Sequence, residues 1–156
     1  MQKFYRLLYP MRVCLISSAY GRKEGVMPAA WVFPLSADPP YFGVCVTKKR
    51  HTYSLIRKRK AFGINTAGPR MKKLIGQAGT TTGSRVDKFS QFKIPKEYGQ
   101  LKVPLLKNSP VSIECRLVRE IEMGDHILLV GEVVGAVQRK KAKGIYQSEG
   151  SKLVEF

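Results

Sequence analysis

Acidic side chains are scarce in this chain: 11 Asp and Glu stand against 28 Lys and Arg, a formal charge of +17 over 156 residues. Histidine is scarcer still, with only His51 and His126, too few for a histidine-rich metal centre. The three cysteines, Cys14, Cys45 and Cys115, form no C-x-x-C pair and lie in apolar runs. That excludes a disulfide framework, a redox dithiol and a usual zinc site, and predicts reduced thiols in a cytoplasmic protein. No apolar run reaches the roughly 18 residues of a membrane helix, and the N-terminus carries no long apolar stretch ending in a cleavage site. Neither membrane insertion nor a signal peptide is expected. G-x-G-x-x-G, G-x-x-x-x-G-K-[ST] and G-x-S-x-G are all missing, which removes the usual dinucleotide fold, the P-loop and the hydrolase elbow. Gly79-Thr-Thr-Thr-Gly-Ser84 is rich in glycine and hydroxyls, yet lacks the P-loop's lysine and spacing.

What is present is an ordinary globular composition, 44% hydrophobic, in a chain of single-domain length, residues 1–156. Such a chain buries roughly 70% of its unfolded surface and needs no staple. The positive field attracts anions, whether nucleic acid, a membrane surface or a phosphorylated cofactor; a basic, solvated face is the equally weighted alternative.

Apolar, β-branched runs punctuated by Gly and Pro predict strands at Val13–Ser18, Val26–Leu35, Tyr41–Thr47, Ala61–Thr66, Val111–Arg119 and His126–Val137. Tyr20–Gly25 and Ser36–Pro40 are turns, and Glu122–Asp125 joins the last two strands. Helices are expected over His51–Lys60, with a basic last turn, and over Pro69–Ala78, with Pro at its start. Gly79–Phe89 reads as a loop, Gln91–Pro110 as irregular, and the tail from Arg139 as basic and weakly patterned. So many strands with so few helices argue for a mainly β barrel or sandwich.

Chemistry concentrates at Thr47-Lys-Lys-Arg-His-Thr-Tyr53. There a strand ends, basic residues follow, and a helix begins near Thr52, which together suit a phosphate. Met27-Pro-Ala-Ala-Trp31 sets small residues beside an aromatic: either a core strand, or a place where a flat ring approaches the backbone. Asp87-Lys-Phe89 brings a lysine to the same ligand or is plain surface.

Together these segments resemble the flavin reductase-like family. The motifs are Tyr9-Pro10, Met27–Trp31 with Pro34, Ser36–Pro40, Thr47–Tyr53, Phe62-Gly-Ile-Asn65, Gly83 with Asp87-Lys-Phe89, Glu114-Cys115, and Gly124-Asp-His126 with Gly131-Glu-Val133. The resemblance implies a six-stranded antiparallel Greek-key split β-barrel with short flanking helices, acting as a homodimer with FMN at the interface. Met27, Ala29, Ala30 and Trp31 would meet the flavin ring. Thr47, Lys48, Arg50 and Thr52 would hold the ribityl chain and phosphate, Lys88 would reach the phosphate or the ring region, and Lys49, Tyr53 and Gly83 complete the expected cofactor-binding set. His126 would stand near the flavin as the one candidate catalytic group. The family often carries Asn-Ala-Met-Thr-Ala-Ser-Trp where this chain has Gly25 to Trp31, so Gly25, Pro28 and Ala30 replace an amide and two hydroxyls.

The implied activity passes electrons from NADH or NADPH through FMN to an acceptor. Two alternatives remain: an FMN-holding electron carrier without nicotinamide activity, and a basic barrel that binds nucleic acid, against which the lack of clustered stacking aromatics counts. Cys45 shares a strand face with Thr47, so with His126 it could hold a metal at the ring edge; a buried inert thiol is the favoured alternative.

Overall fold

A computed structural model describes residues 1–156. Its strands are β1 (Met11–Arg12), β2 (Cys14–Tyr20), β3 (Lys23–Ala29), β4 (Val32–Ser36), β5 (Tyr41–Val46), β6 (Ala61–Thr66), β7 (Lys96–Tyr98), β8 (Pro104–Leu106), β9 (Val111–Met123), β10 (His126–Gln138), β11 (Ile145–Glu149) and β12 (Lys152–Glu155). The helices are α1 (His51–Arg59), α2 (Lys72–Thr80) and α3 (Lys88–Gln91), with short 3-10 turns at Phe4–Leu8 and Pro69–Met71. No helix is long and apolar enough to cross a membrane.

The main sheet is antiparallel, in the order β3-β2-β6-β9-β10-β5-β4. It has seven strands rather than six because the apolar run Val26–Leu35 breaks at Ala30 and Trp31. Its halves, β3 and β4, lie at opposite edges of the sheet, so this single run bridges the two edges and closes the barrel. The Trp31 carbonyl accepts a hydrogen bond from the Cys45 amide at 3.0 Å, fixing the crossing against β5.

Strand alternation directs side chains to two cores. Ile16, Met27, Val44, Val46, Ile64, Ile127 and Leu129 point into the barrel with Phe62, and α1 plugs it with Tyr53 and Ile56. Leu15 and Val26, on the opposite faces of β2 and β3, pack together with Val13, just before β2, against Met71, Ile75, Phe89 and Ile145. β2 is therefore buried on both faces, and its two central serines, Ser17 and Ser18, are buried with their hydroxyls donating to the carbonyls of Pro104 and Ala61.

Two regions depart from expectation. The basic tail holds a hairpin, β11–β12, whose inner strand pairs with β1 in a separate three-stranded sheet. Its signal is weak because few of its side chains are buried. The irregular Gln91–Pro110 stretch contains the short pair β7–β8.

Candidate flavin site

Helix α1 begins abruptly after β5. Arg50, the residue before it, is extended and supplies no side-chain cap, and the first turn holds no acid. The first amides of α1 therefore present partial positive charge to whatever lies before them. Thr52, Tyr53, Leu55 and Ile56 form its buried face, at helical spacing.

A cavity of about 200 Å³ sits at this helix start, lined by Lys49, Arg50, His51, Thr52, Gly79, Thr80, Thr81, Thr82, Gly83 and Lys88, with Met27 at its edge. No carboxylate lines it. Lys49, Arg50 and Lys88 have no ion-pair partner anywhere in the chain. Lys88 arrives by a specific local device. Asp87 caps α3 by accepting from the amides of Phe89 (3.0 Å) and Ser90 (3.4 Å), which turns Phe89 into the core and Lys88 inward. The Lys88 ammonium is buried and donates to the carbonyls of Val26 (2.9 Å) and Ala78 (2.6 Å). Two of its three protons are thus used, leaving one for the cavity. Burial, reinforced by the Arg50 guanidinium, pushes its pKa down to about 8. His51 is held below its usual pKa by burial and then by Lys23, Lys88 and Lys58. Its buried Nε2 has no hydrogen-bond partner. Gly83 permits this closeness, since a Cβ there would stand 2.7 Å from the His51 ring.

A second cavity, of about 670 Å³, adjoins the first, because Met27 and Arg50 line both. Its walls are Pro28, Ala29, Ala30 and Trp31 from the β3–β4 crossing, and Cys45, Val46 and Thr47 from the end of β5. Tyr5 and Tyr9 come from the N-terminal segment, Asp125 and His126 from the β9–β10 turn, and Gln147 from β11. Trp31 and His126 stack at 4.4 Å with planes 23° apart, and Tyr5 meets Trp31 edge-on at 5.2 Å. Asp125 Oδ1 lies 2.7 Å from His126 Nδ1 and orients the imidazole; this contact holds the Asp125 carboxyl below its usual pKa. The Cys45 thiol is half-buried, with its pKa raised by desolvation. No group of three metal-ligating side chains exists in the chain, so Cys45 and His126 do not form part of such a cluster.

The sequence-predicted residues therefore divide. Met27, Ala29, Ala30, Trp31, Thr47, Arg50 and His126 line the large cavity; Lys49, Thr52, Gly83 and Lys88 line the small one. Tyr53 and Lys48 line neither. The Tyr53 ring is in the barrel core, since the second residue of α1 after His51 falls on its buried face. Lys48 turns away to pair with Glu122 on the β9–β10 hairpin. Gly25 also lies off the cleft: a Cβ there would meet Thr52 Oγ1 at 2.9 Å and Leu55 at 3.0 Å, so α1 occupies the space of the amide common at this position. Pro28 and Ala30 do face the cleft.

Sequence reasoning passed over Tyr5, Gln147, Thr80, Thr81 and His51 as site residues. The hydroxyl run of Gly79–Ser84 was a usable signal, and so was His51 within the basic segment. Gln147 had none, because only the pairing of β11 with β1 brings it to the cleft.

Residues 4–152 match the family model described as flavin reductase like domain. A ferric-chelate reductase (NAD(P)H) of Archaeoglobus fulgidus is 31% identical over 144 residues, covering 91% of this chain and 83% of that protein. The fold superposes on an FMN-binding protein from Thermus thermophilus with a TM-score of 0.90 at 28% identity, covering 99% of this chain and 90% of that one. It superposes on a flavoredoxin from Methanosarcina acetivorans at 0.88 and 26% identity, covering 96% and 86%. The chain belongs to the flavin reductase-like domain family.

Proposed function

We propose that the protein binds FMN across the two adjoining cavities and uses it as an NAD(P)H-dependent oxidoreductase. One observation carries the reading: a carboxylate-free pocket of three cations and a helix start opens into a cleft walled by small residues and stacked aromatics. FMN has this polarity, a dianionic phosphate at one end and a flat ring at the other. The fit is chemical as well. A phosphate would pair the unpartnered Nε2 of His51, the free α1 amides and the remaining proton of Lys88. Small side chains at Ala29 and Ala30 let a ring approach the strand backbone.

Bound FMN would accept a hydride from NADH or NADPH and release electrons to an acceptor; the protein supplies position and electrostatics. Arg50 spans both cavities and orients the ligand along them. Trp31, stacked on His126, walls the ring end. The resemblance to an FMN-binding protein and to an NAD(P)H-dependent reductase supports the same reading.

We also propose a homodimer that completes the cleft. Phe4, Leu7 and Leu8, on the N-terminal turn beside it, are 67%, 74% and 74% exposed, and a second copy would cover them.

The test is direct. The purified protein should take up FMN, and NADH or NADPH added without air should bleach the bound flavin. Flavin uptake with no bleaching by either donor would leave an electron carrier and remove the reductase activity.

A further inference from the structure

At the far end of α1, away from the flavin cavities, the surface carries a second cationic groove. Two depressions of about 410 and 440 Å³ adjoin there and share Arg59 and Lys102. Arg22 from the β2–β3 turn lines the first; Lys60 and Arg116 line the second. Its single acid, Glu24, is already engaged by Lys96 and by the Tyr98 hydroxyl at 2.6 Å. Arg116 alone has a carboxylate of its own, Glu132, at 4.0 Å.

The cations are held rather than loosely displayed. Arg59 Nε donates to the Ala19 carbonyl at 2.8 Å, and its guanidinium lies over the Tyr20 ring at 5.8 Å. That fixes the plane and leaves the outer nitrogens free to bind an anion. Lys102 sits in a turn anchored from beneath. The buried Glu114 carboxylate accepts from the amides of Gln100 and Leu101, both at 2.9 Å. Lys60 and Lys102 both adopt left-handed backbone, at φ 61° and 58°, a conformation that favours glycine.

We infer that this groove binds a linked oligophosphate, such as inorganic tripolyphosphate or a nucleoside triphosphate, at a site separate from the flavin site. Two adjoining depressions sharing Arg59 and Lys102 match successive phosphates in one ligand, with forked donors from Arg22 and Arg59 and point charges from Lys60 and Lys102. Tyr98, exposed and pinned through Glu24, offers a ring at the rim for a base. Helix α1 has nine residues and is about 13 Å long, which sets the groove about that far from Arg50 at its other end.

The experiment is calorimetric titration of the full chain, saturated with FMN so that the pocket at the start of α1 is already filled, with inorganic tripolyphosphate and, separately, ATP. Binding at one saturable site is expected, weakened at least about tenfold in Arg22→Gln/Lys102→Asn. Arg50→Gln in the flavin cavity, and Lys141→Gln/Lys143→Gln on the exposed tail, should leave it within about twofold. FMN uptake by the Arg22→Gln/Lys102→Asn variant reports that it folds. Tighter binding of ATP than of tripolyphosphate would add the base to the contact; equal binding would confine recognition to phosphate. Four results overturn the inference: no saturable binding, equal weakening by the tail variant, loss in Arg50→Gln with retention in the groove variant, or a preference for a single-stranded oligonucleotide that the groove variant leaves unchanged.

Discussion

Trp31 and His126 stack face to face at 4.4 Å, joining the crossing that closes the barrel to the turn that begins β10. Trp31 is the sole tryptophan in the chain. Its fluorescence is therefore a direct reporter of the ring end of the cleft. Addition of FMN should quench it saturably, and riboflavin should quench it to the same final extent at higher concentration. Unquenched Trp31 with bound FMN would move the ring away from this wall.

If the pocket at the start of α1 holds the FMN phosphate as proposed, Lys88 should make FMN affinity depend on pH. Its pKa in the free protein lies near 8, below the usual lysine value, because burial and Arg50 disfavour the charge. An anion needs the protonated form. Affinity should fall as pH rises through about 8, with proton uptake on binding near that pH. Lys88→Met should bind more weakly at pH 7 and lose this pH dependence, measured by titration calorimetry in two buffers. For the free protein the sign reverses: a depressed lysine costs stability while charged, so this group's contribution to stability rises from pH 8 towards 10.5.

Tyr53 separates packing from binding. Its ring belongs to the barrel core, 5% exposed. Tyr53→Phe should leave FMN affinity within about twofold, whereas Tyr53→Ala should cost about 3–5 kcal/mol of stability in chemical denaturation. Restoring the amide at position 25 is a related case. Gly25→Asn should destabilise the fold by about 1–3 kcal/mol, because its side chain would press on Thr52 and Leu55 rather than reach the cleft.

The thiols should react unequally. Cys14 and Cys115 are buried, with pKa values pushed up to about 11 and about 12 by desolvation. Cys45 is half-buried and lines the cleft. A thiol reagent should modify one cysteine per native chain, at Cys45, and FMN should slow that reaction. Fast modification of Cys115 would contradict its place in β9, 0% exposed within the barrel core.

Much of this site was legible from residues alone. The strand-to-helix junction within Thr47–Tyr53 was legible, since β5 ends at Val46 and α1 begins at His51, and alternation along β5 separated the half-buried Cys45 from the buried Val44 and Val46. What sequence could not show was the consequence of folding at a distance. The run Val26–Leu35 holds two prolines, but Pro28 lies inside β3 and Pro34 inside β4, neither at the break, so its division between two sheet edges depends on barrel closure. Tyr53 and Lys48 sit in a basic segment that looks uniformly ligand-facing. Helical rotation buries the first, and a carboxylate 74 residues away in sequence claims the second. The tail hairpin is visible only through its pairing with β1.

The central claim is that the cationic pocket at the start of α1 holds the phosphate of FMN. The relative affinity of FMN and riboflavin, read by Trp31 quenching at pH 7, tests it most directly. The phosphate should be worth about 100-fold or more, the equivalent of two charge-assisted hydrogen bonds, and the difference should shrink to less than about tenfold in Arg50→Gln/Lys88→Met. Equal affinity of the unsubstituted protein for FMN and riboflavin would contradict the account.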